Sequence, residues 1–599
     1  MKLSGLRVSV RTQAICAKTL CLLAAGSWVI GYWAAAPVQA TPLPSPPNDA
    51  HAIRTSSPLA RLLKTEHVSW LHLQPLGQTR TGRPLFALIV GHPAHSRADA
   101  KGSRLVVLLS PALDHSGRAV RTLATQIIRQ WSRTPALRRR HRMQRVLLVF
   151  FLGRGYRPVP QPHADFGWPA DLPKPSSTHP QNLLLAMTPT TRAWLTLFEH
   201  WHPALVTEMV TRHSAAWRDS FLFGGTPTKL LAPGLATLAT RLVADARTSW
   251  SHAHLAVGLW MQPRNPENPG AGVETVSASP AHIIGYSALA NILAVQWVFN
   301  PHVALRVETR EIAKMGSAWI SVLARAAKPL LETEHQLAIE ARYHYPAFRT
   351  RFSVHDVLKR SPDAFLLRTY AYSETLSPIS GTIWVRYDRN MPRNYLVPRY
   401  SRLEGLDPLP DIAGYVIPAG FSSAVEILRM HGIQIQDISS PVKLRVGTER
   451  LSHIRWQRTR HNALPVIASF DTVAETREFV YPPGSVFIPV NQRLARIVVL
   501  LLDPQSPFSL FRLGYFNSIF NPLPIHPQSA LETLARTLLR KHPRLARRFV
   551  ARIMHPAFAE NPTARLDFFY RYVFRDPVSP DLYPVGTLRH APLHLGRSP

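Results

Sequence analysis

The sequence predicts an α/β fold built on a mixed, mostly parallel sheet flanked by helices, and three observations carry that reading. Apolar runs occur at Leu105-Val106-Val107-Leu108-Leu109, at Val146 to Phe151 and, interrupted only by Gln296, at Leu293 to Phe299. Such runs suit strands buried on both faces, whereas a half-exposed strand would alternate with polar residues. Segments with helical spacing lie between them, at Leu123, Ile127, Ile128 and Trp131, and again at Trp194, Leu195, Leu197, Phe198 and Trp201. The second of these leads straight into another strand opening at Ala204-Leu205-Val206. Strands alternating with helices in this way argue βαβ units.

Taken in order, residues 1–40 read as a secretory leader. Lys2, Arg7, Arg11 and Lys18 form a basic start, an apolar stretch runs from Leu20 to Ala36, and Val38-Gln39-Ala40 supplies the small residues of a cleavage site. Cleavage after Ala40 would place the chain in the periplasm or outside the cell. An uncleaved anchor is the competing reading, because the stretch is close to the ~18 residues a span needs. Residues 41–55 open as a Pro-rich tether (TPLPSPPNDA). The α/β region is expected over 56–335. From 336 to 599 the character changes: 340–480 reads as short strands separated by turns, with a helix at Ala424 to Met430, and 528–553 reads as helical, with Leu531, Leu534, Leu538 and Leu539 in phase.

The two cysteines, Cys16 and Cys21, both lie in the leader, so the remaining chain has neither a disulfide nor thiolate chemistry. There are 70 Lys+Arg against 36 Asp+Glu. Without the four basic leader residues the balance is still +30. Such a field attracts polyanions or an anionic membrane surface weakly, but no motif for specific nucleic-acid recognition is present. H-E-x-x-H, G-x-S-x-G and Walker A signatures are also absent.

Several segments resemble the large exported bacterial zinc carboxypeptidases (the M14 family). They are Leu76-Gly77-Gln78-Thr79-Arg80-Thr81-Gly82-Arg83-Pro84-Leu85, Asp411 to Ala419, His431-Gly432-Ile433, Pro489-Val490-Asn491-Gln492, Leu501 to Pro507, Tyr515 to Phe520 and Ala564 to Tyr570. The resemblance covers roughly 65–590 in order. It implies a carboxypeptidase-like eight-stranded sheet followed by a C-terminal β-rich and helical region of the same family.

It also implies a site. In that family a His and a Glu from one H-x-x-E loop and a second His hold zinc, whose bound water attacks the peptide carbonyl. A Glu carries the proton and an Arg clamps the terminal carboxylate. This chain departs at each point. Pro111 and Asp114 stand at the H-x-x-E positions, Val210 at the second His, and Met187 at the clamp Arg; Gln296, or Val298 without a gap, stands at the base. No catalytic residue and no metal ligand is therefore expected, and no cofactor. Asp114, Glu208 and Gln296 are the candidates to line the former cleft. His115 and His213 are the candidate substitute ligands; the pairs His200/His202 and His252/His254 have ligand-like spacing, but 27 histidines produce such pairs by chance.

Two functions follow as expectations. One is a non-catalytic homologue that binds a peptide, a cell-wall fragment or a partner in the former cleft. The alternative is an active, zinc-dependent metallocarboxypeptidase with a rebuilt metal site. The sequence leaves the ligand and the oligomeric state open.

Overall fold

The apolar runs form the centre of the chain because their side chains have no face they can show to water. The computed structural model describes residues 70–79, 82, 84–91, 104–113, 118–133, 146–152, 183–186, 188–211, 217–219, 221–265, 268–274, 282–299, 305–343, 350–351, 363–379, 381–400, 406–408, 412–457, 465–506, 508–520, 528–562, 564–565, 568–569 and 581–590. The chain divides into Met1–Asp49 and Ala50–Pro599. The leader and most of the tether read from the sequence lie in the first unit, outside the described residues.

In chain order the first half contains β1 (Leu71–Gln78), β2 (Pro84–Val90), β3 (Leu105–Pro111), α1 (Arg118–Arg133), β4 (Val146–Phe151), α2 (Pro189–Trp201), β5 (Leu205–Thr211), β6 (Phe221–Gly225), α3 (Pro233–His252), β7 (Val257–Leu259), β8 (Gln262–Pro263), β9 (Val273–Glu274), α4 (Ile283–Leu289), β10 (Leu293–Phe299) and α5 (Leu305–Tyr343). Eight of the strands form one sheet in the order β1-β2-β4-β3-β5-β10-β6-β7. β4, β3, β5 and β10 run parallel at its centre, with antiparallel neighbours at β1–β2, β2–β4 and β10–β6. This is the mixed sheet flanked by helices that the sequence predicts.

The pleat sorts the strand residues between two layers. Leu105, Val107 and Leu109 of β3 pack with Val120, Leu123 and Ile127 of α1 and with α3 and α5. There Phe223 meets Trp250 and Trp319, and these two meet Trp297, in mostly edge-to-face contacts 4.8–6.1 Å between centroids. Val106 and Leu108 face the other layer, which holds Trp194, Leu197 and Phe198 of α2 and all of α4's large apolar side chains. α2 begins where its sequence dictates. The Thr188 hydroxyl accepts from Thr191 N at 3.1 Å, Thr191 Oγ1 accepts from Thr188 N at 3.0 Å, and Pro189 occupies the first turn, where no amide is needed.

The second half comprises β11 (Thr350–Arg351), β12 (Asp363–Leu376), β13 (Ile383–Tyr400), β14 (Leu406–Pro408), β15 (Gly414–Ile417), α6 (Ser422–Met430), β16 (Gln436–Asp437), β17 (Val442–Gln457), β18 (Val466–Tyr481), β19 (Val486–Pro489), α7 (Ala495–Leu502), α8 (Gln528–Lys541), α9 (Pro543–Ile553), α10 (Pro556–Ala559) and β20 (Gly586–Leu588). Of the short strands expected over 340–480, β11, β14, β15 and β16 have 2 to 4 residues, but most of the region forms two long hairpins, β12–β13 and β17–β18, with strands of 14 to 18 residues. Both carry register shifts, at Tyr370/Ala371 and around Ser452 to Trp456, so turn-forming residues inside them mark bulges rather than strand ends.

The change of character near residue 335 is not a structural break. β8 and β9 from the first half join β12 and β13 in one four-stranded sheet through the parallel pairs Arg399↔Val273 and Tyr400↔Glu274. α7 and the turn before it dock the C-terminal region onto the first: Arg496 of α7 donates to Leu230 O at 2.7 Å, and Arg493, just before the helix, pairs with Glu334 at 3.2 Å. Among the described residues no helix is long and apolar enough to cross a membrane.

Candidate functional site

Parallel strands point their C-terminal ends the same way, so the residues that finish β3, β5 and β10 are brought to one edge of the sheet. The register fixes the neighbours: Ser110 lies beside Glu208, Glu208 beside Gln296, and Val210 beside Val298. Gln296 Nε2 donates to Glu208 Oε2 at 2.7 Å. The amide nitrogen can only donate, so the Glu208 oxygen accepts in this bond. That turns Gln296 Oε1 inward, where it has no hydrogen-bond partner among the described residues. Glu208 is 5 % exposed and Gln296 3 %.

Of the residues singled out from the sequence, Glu208, Val210, Gln296 and Val298 therefore sit together. Val206, Ala294 and Val298, on the same face, belong to the apolar layer with α2 and α4, and Val210 is fully buried. Pro111 ends the adjoining strand opposite Met209. By the alternation of β3 it falls in phase with Val107 and Leu109, so Ser110 and not Pro111 shares the face of Glu208. The Ser110 hydroxyl donates to Pro111 O at 2.8 Å. Asp114, His115, Met187 and His213 lie outside the described residues. His200 packs its ring against Trp201, and His202 caps α2 with a left-handed φ of 42°. His254 follows α3 with φ 54°. Among the described residues no group of three His, Cys, Asp or Glu side chains is placed to hold a metal ion.

At the positions that the resemblance assigns to zinc ligands, the described residues Pro111 and Val210 do not fit a zinc ion. Proline and valine offer it no side-chain donor, and catalytic sites use three protein ligands. The neighbouring carboxylate, Glu208, is engaged by an amide in a buried setting.

A second buried polar group stands on the same side of the sheet and was not singled out from the sequence. The carbonyl of Leu184 can only accept, so His431 Nε2 donates to it at 3.0 Å. Nδ1 is then the unprotonated nitrogen and accepts from the Tyr286 hydroxyl at 2.8 Å. The two rings stack 5.5 Å apart. Burial pushes the His431 imidazole down to about 4, against an opposing effect of its bond to Leu184, and pushes the Tyr286 phenol up, helped by the charge of Glu199. A neutral histidine thus ties the segment after α6 to α4 and to the short turn Leu183–Leu185, beside the position expected for the carboxylate clamp. The signal available in the sequence was His431-Gly432-Ile433, one of the segments carrying the resemblance.

No family model and no curated protein matches the chain. It is similar to several solved structures. A metallo-carboxypeptidase from Pseudomonas aeruginosa, solved in complex with (2-guanidinoethylmercapto)succinic acid, shares 15 % identity over 45 % of this chain and 68 % of its own, with a TM-score of 0.31. A metallo-carboxypeptidase from Burkholderia cenocepacia shares 12 % over 46 % and 68 %, at 0.30. Carboxypeptidase A from Helicoverpa armigera shares 13 % over 45 % and 72 %, at 0.29.

Proposed function

We propose that this chain is a carboxypeptidase-like protein that binds a peptide, a cell-wall fragment or a partner and does not cleave peptides. One observation carries the reading: where the resemblance calls for a proton-carrying glutamate beside a zinc site, a buried amide, Gln296, holds a buried carboxylate, Glu208, at 2.7 Å. An amide is too weakly basic to take up a proton near neutral pH, so it does not act as the general base that assists such hydrolysis. Val210, in the adjoining position, has no lone pair for a metal. Water not activated by a metal keeps a pKa near ~15.7 rather than ~7. Each of these removes a separate part of the reaction, and together they leave no route to turnover. Export through residues 1–40 belongs to the same proposal, and would be checked by sequencing the N-terminus of the recovered protein.

The test is release of C-terminal residues from a set of peptides, with and without added zinc, beside an active metallocarboxypeptidase. Metal content of the purified protein is measured in parallel. No release and no stoichiometric zinc are expected. Turnover abolished by a chelator would overturn the proposal and direct attention to His115 or His213.

A further inference from the structure

We propose that the arginine face of α9, with the hollow beside α10, docks this protein on an anionic phospholipid bilayer. The proposal stands apart from the fate of the strand-end site. α9 has the sequence PRLARRFVARI, with four arginines and no acid. Over 528–565 the balance is eight basic residues against two acids. The helix is anchored from one side only. Leu545 is buried, and Phe549 packs against Phe569 and Phe568 with centroids 4.4 and 5.3 Å away.

The rest of the helix surface carries two rows at helical spacing, one flanking the packed side and one away from it. One row is Arg544, Arg548 and Arg552, all exposed. The other is Val550 and the residue after the helix, Met554, which are 60 % and 78 % exposed. Arg547 lies between the rows. Among the described residues Arg544, Arg547 and Arg552 make no ion pair; Arg552 stands over the Phe558 ring at 5.4 Å. A hollow of about 650 Å³ at the α9–α10 junction is lined by Arg548, Arg552, His555 and Phe558, with three alanines.

Cationic walls over an apolar floor match a lipid headgroup. Phosphate meets the arginines, while Val550, Met554 and the floor enter the acyl boundary, with the arginine stems lying along it. Nucleic acid would satisfy the arginines but gains nothing from exposed Val550 and Met554, so the bilayer is the better complement.

The full chain is tested by co-sedimentation with phosphatidylcholine vesicles containing about 30 % phosphatidylglycerol, and with phosphatidylcholine alone. Each arginine near an anionic surface contributes roughly fivefold in affinity. Replacing Arg544, Arg547, Arg548 and Arg552 by Gln should weaken binding to the anionic vesicles by at least about 50-fold, with far-UV circular dichroism unchanged. Val550→Ser with Met554→Ser should weaken it by a further factor that added salt does not reproduce. The leader would bind either vesicle, so the effect is read as the excess of binding to anionic over neutral vesicles. Equal binding of parent and four-arginine variant would overturn the proposal. So would loss of binding on Ile379→Ser at the exposed β12–β13 tip with α9 intact. A duplex oligonucleotide that strips the parent from vesicles, while the Val550/Met554 variant binds like the parent, would replace it with a nucleic-acid surface.

Discussion

Lowering the pH from about 7 to about 4 is expected to remove about 3 kcal/mol of folding stability through His431 alone. Its imidazole moves from the ordinary 6.5 in the unfolded chain to about 4 in the folded one, because burial disfavours the charged ring. Each unit corresponds to about 1.4 kcal/mol. The sign follows from proton counting. Between about 4 and 6.5 the unfolded chain binds the proton and the folded chain does not, so stability falls as pH falls through this window. Above 6.5 the contribution is constant, and below about 4 the loss is complete. The groups around the ring do not rescue the cation: Leu184 O already accepts from Nε2, and the Tyr286 hydroxyl, which donates to Nδ1, would have to turn away. The nearest acid, Glu199, is 40 % exposed and faces His202.

The perturbation that isolates this group is His431→Gln, which keeps one amide donor and cannot titrate. Losing a good buried hydrogen bond costs about 1–3 kcal/mol near pH 7. As pH falls the parent loses stability that the variant never had, so the gap should close and then reverse by pH ~4. Urea unfolding followed by tryptophan fluorescence at several pH values measures the gap, and titrating carboxylates common to both proteins cancel in the difference. Parallel profiles for parent and variant between about 4 and 6.5 would refute the reasoning.

Arg493→Ala should cost about 2 kcal/mol near neutral pH, because Glu334, whose carboxyl burial pushes up against the pull of Arg493, would lose its partner; adding Glu334→Gln should restore most of that loss in the same urea assay. Gly432→Ala should cost about 2 kcal/mol: φ is +72° and the new methyl would lie 2.2 Å from Glu199 Cδ. Gly381→Ala, at φ +69° with no atom within 4 Å, should show only the backbone part of that cost, about 1 kcal/mol, in a comparison of melting temperatures.

The central sheet was legible because its strands are buried on both faces. Val146–Phe151 and Leu293–Phe299 coincide with β4 and β10 to the residue, since burial on both faces explains six apolar residues in a row in the first and six of seven in the second. The same logic hides the hairpins. Leu366, Leu376, Trp384 and Leu396 are each more than half exposed, so β12 and β13 face water along most of their length and their sequences mix polar and apolar residues without a clean period. Pro392 sits opposite Tyr370, at the register shift. A proline there lacks only a hydrogen bond that the bulge has already removed, yet in the sequence it reads as punctuation.

The site was legible in residue type and not in arrangement. Glu208 and Gln296 could be named from the chain alone, but their hydrogen bond spans 88 positions and depends on the register of two strands separated by β6, α3, β7, β8, β9 and α4. A one-residue slip in that register would turn one of them to the other layer. The choice between Ser110 and Pro111 is of the same kind: a motif places its residues along the chain, whereas the pleat decides which of two neighbours shares a face with Glu208. His431 shows the limit from the other side. It stands 145 positions from Tyr286, and only the docking of the C-terminal region on the sheet makes the two partners. Polar groups that join distant segments in a buried layer must be satisfied together, so the Glu208–Gln296 and Tyr286–His431 pairs hold the sheet edge in place whether or not any chemistry occurs there. That is why loss of Gln296 or His431 should be sought first in stability measurements, and why a change in peptide binding on their mutation would need the stability change subtracted before it said anything about a ligand.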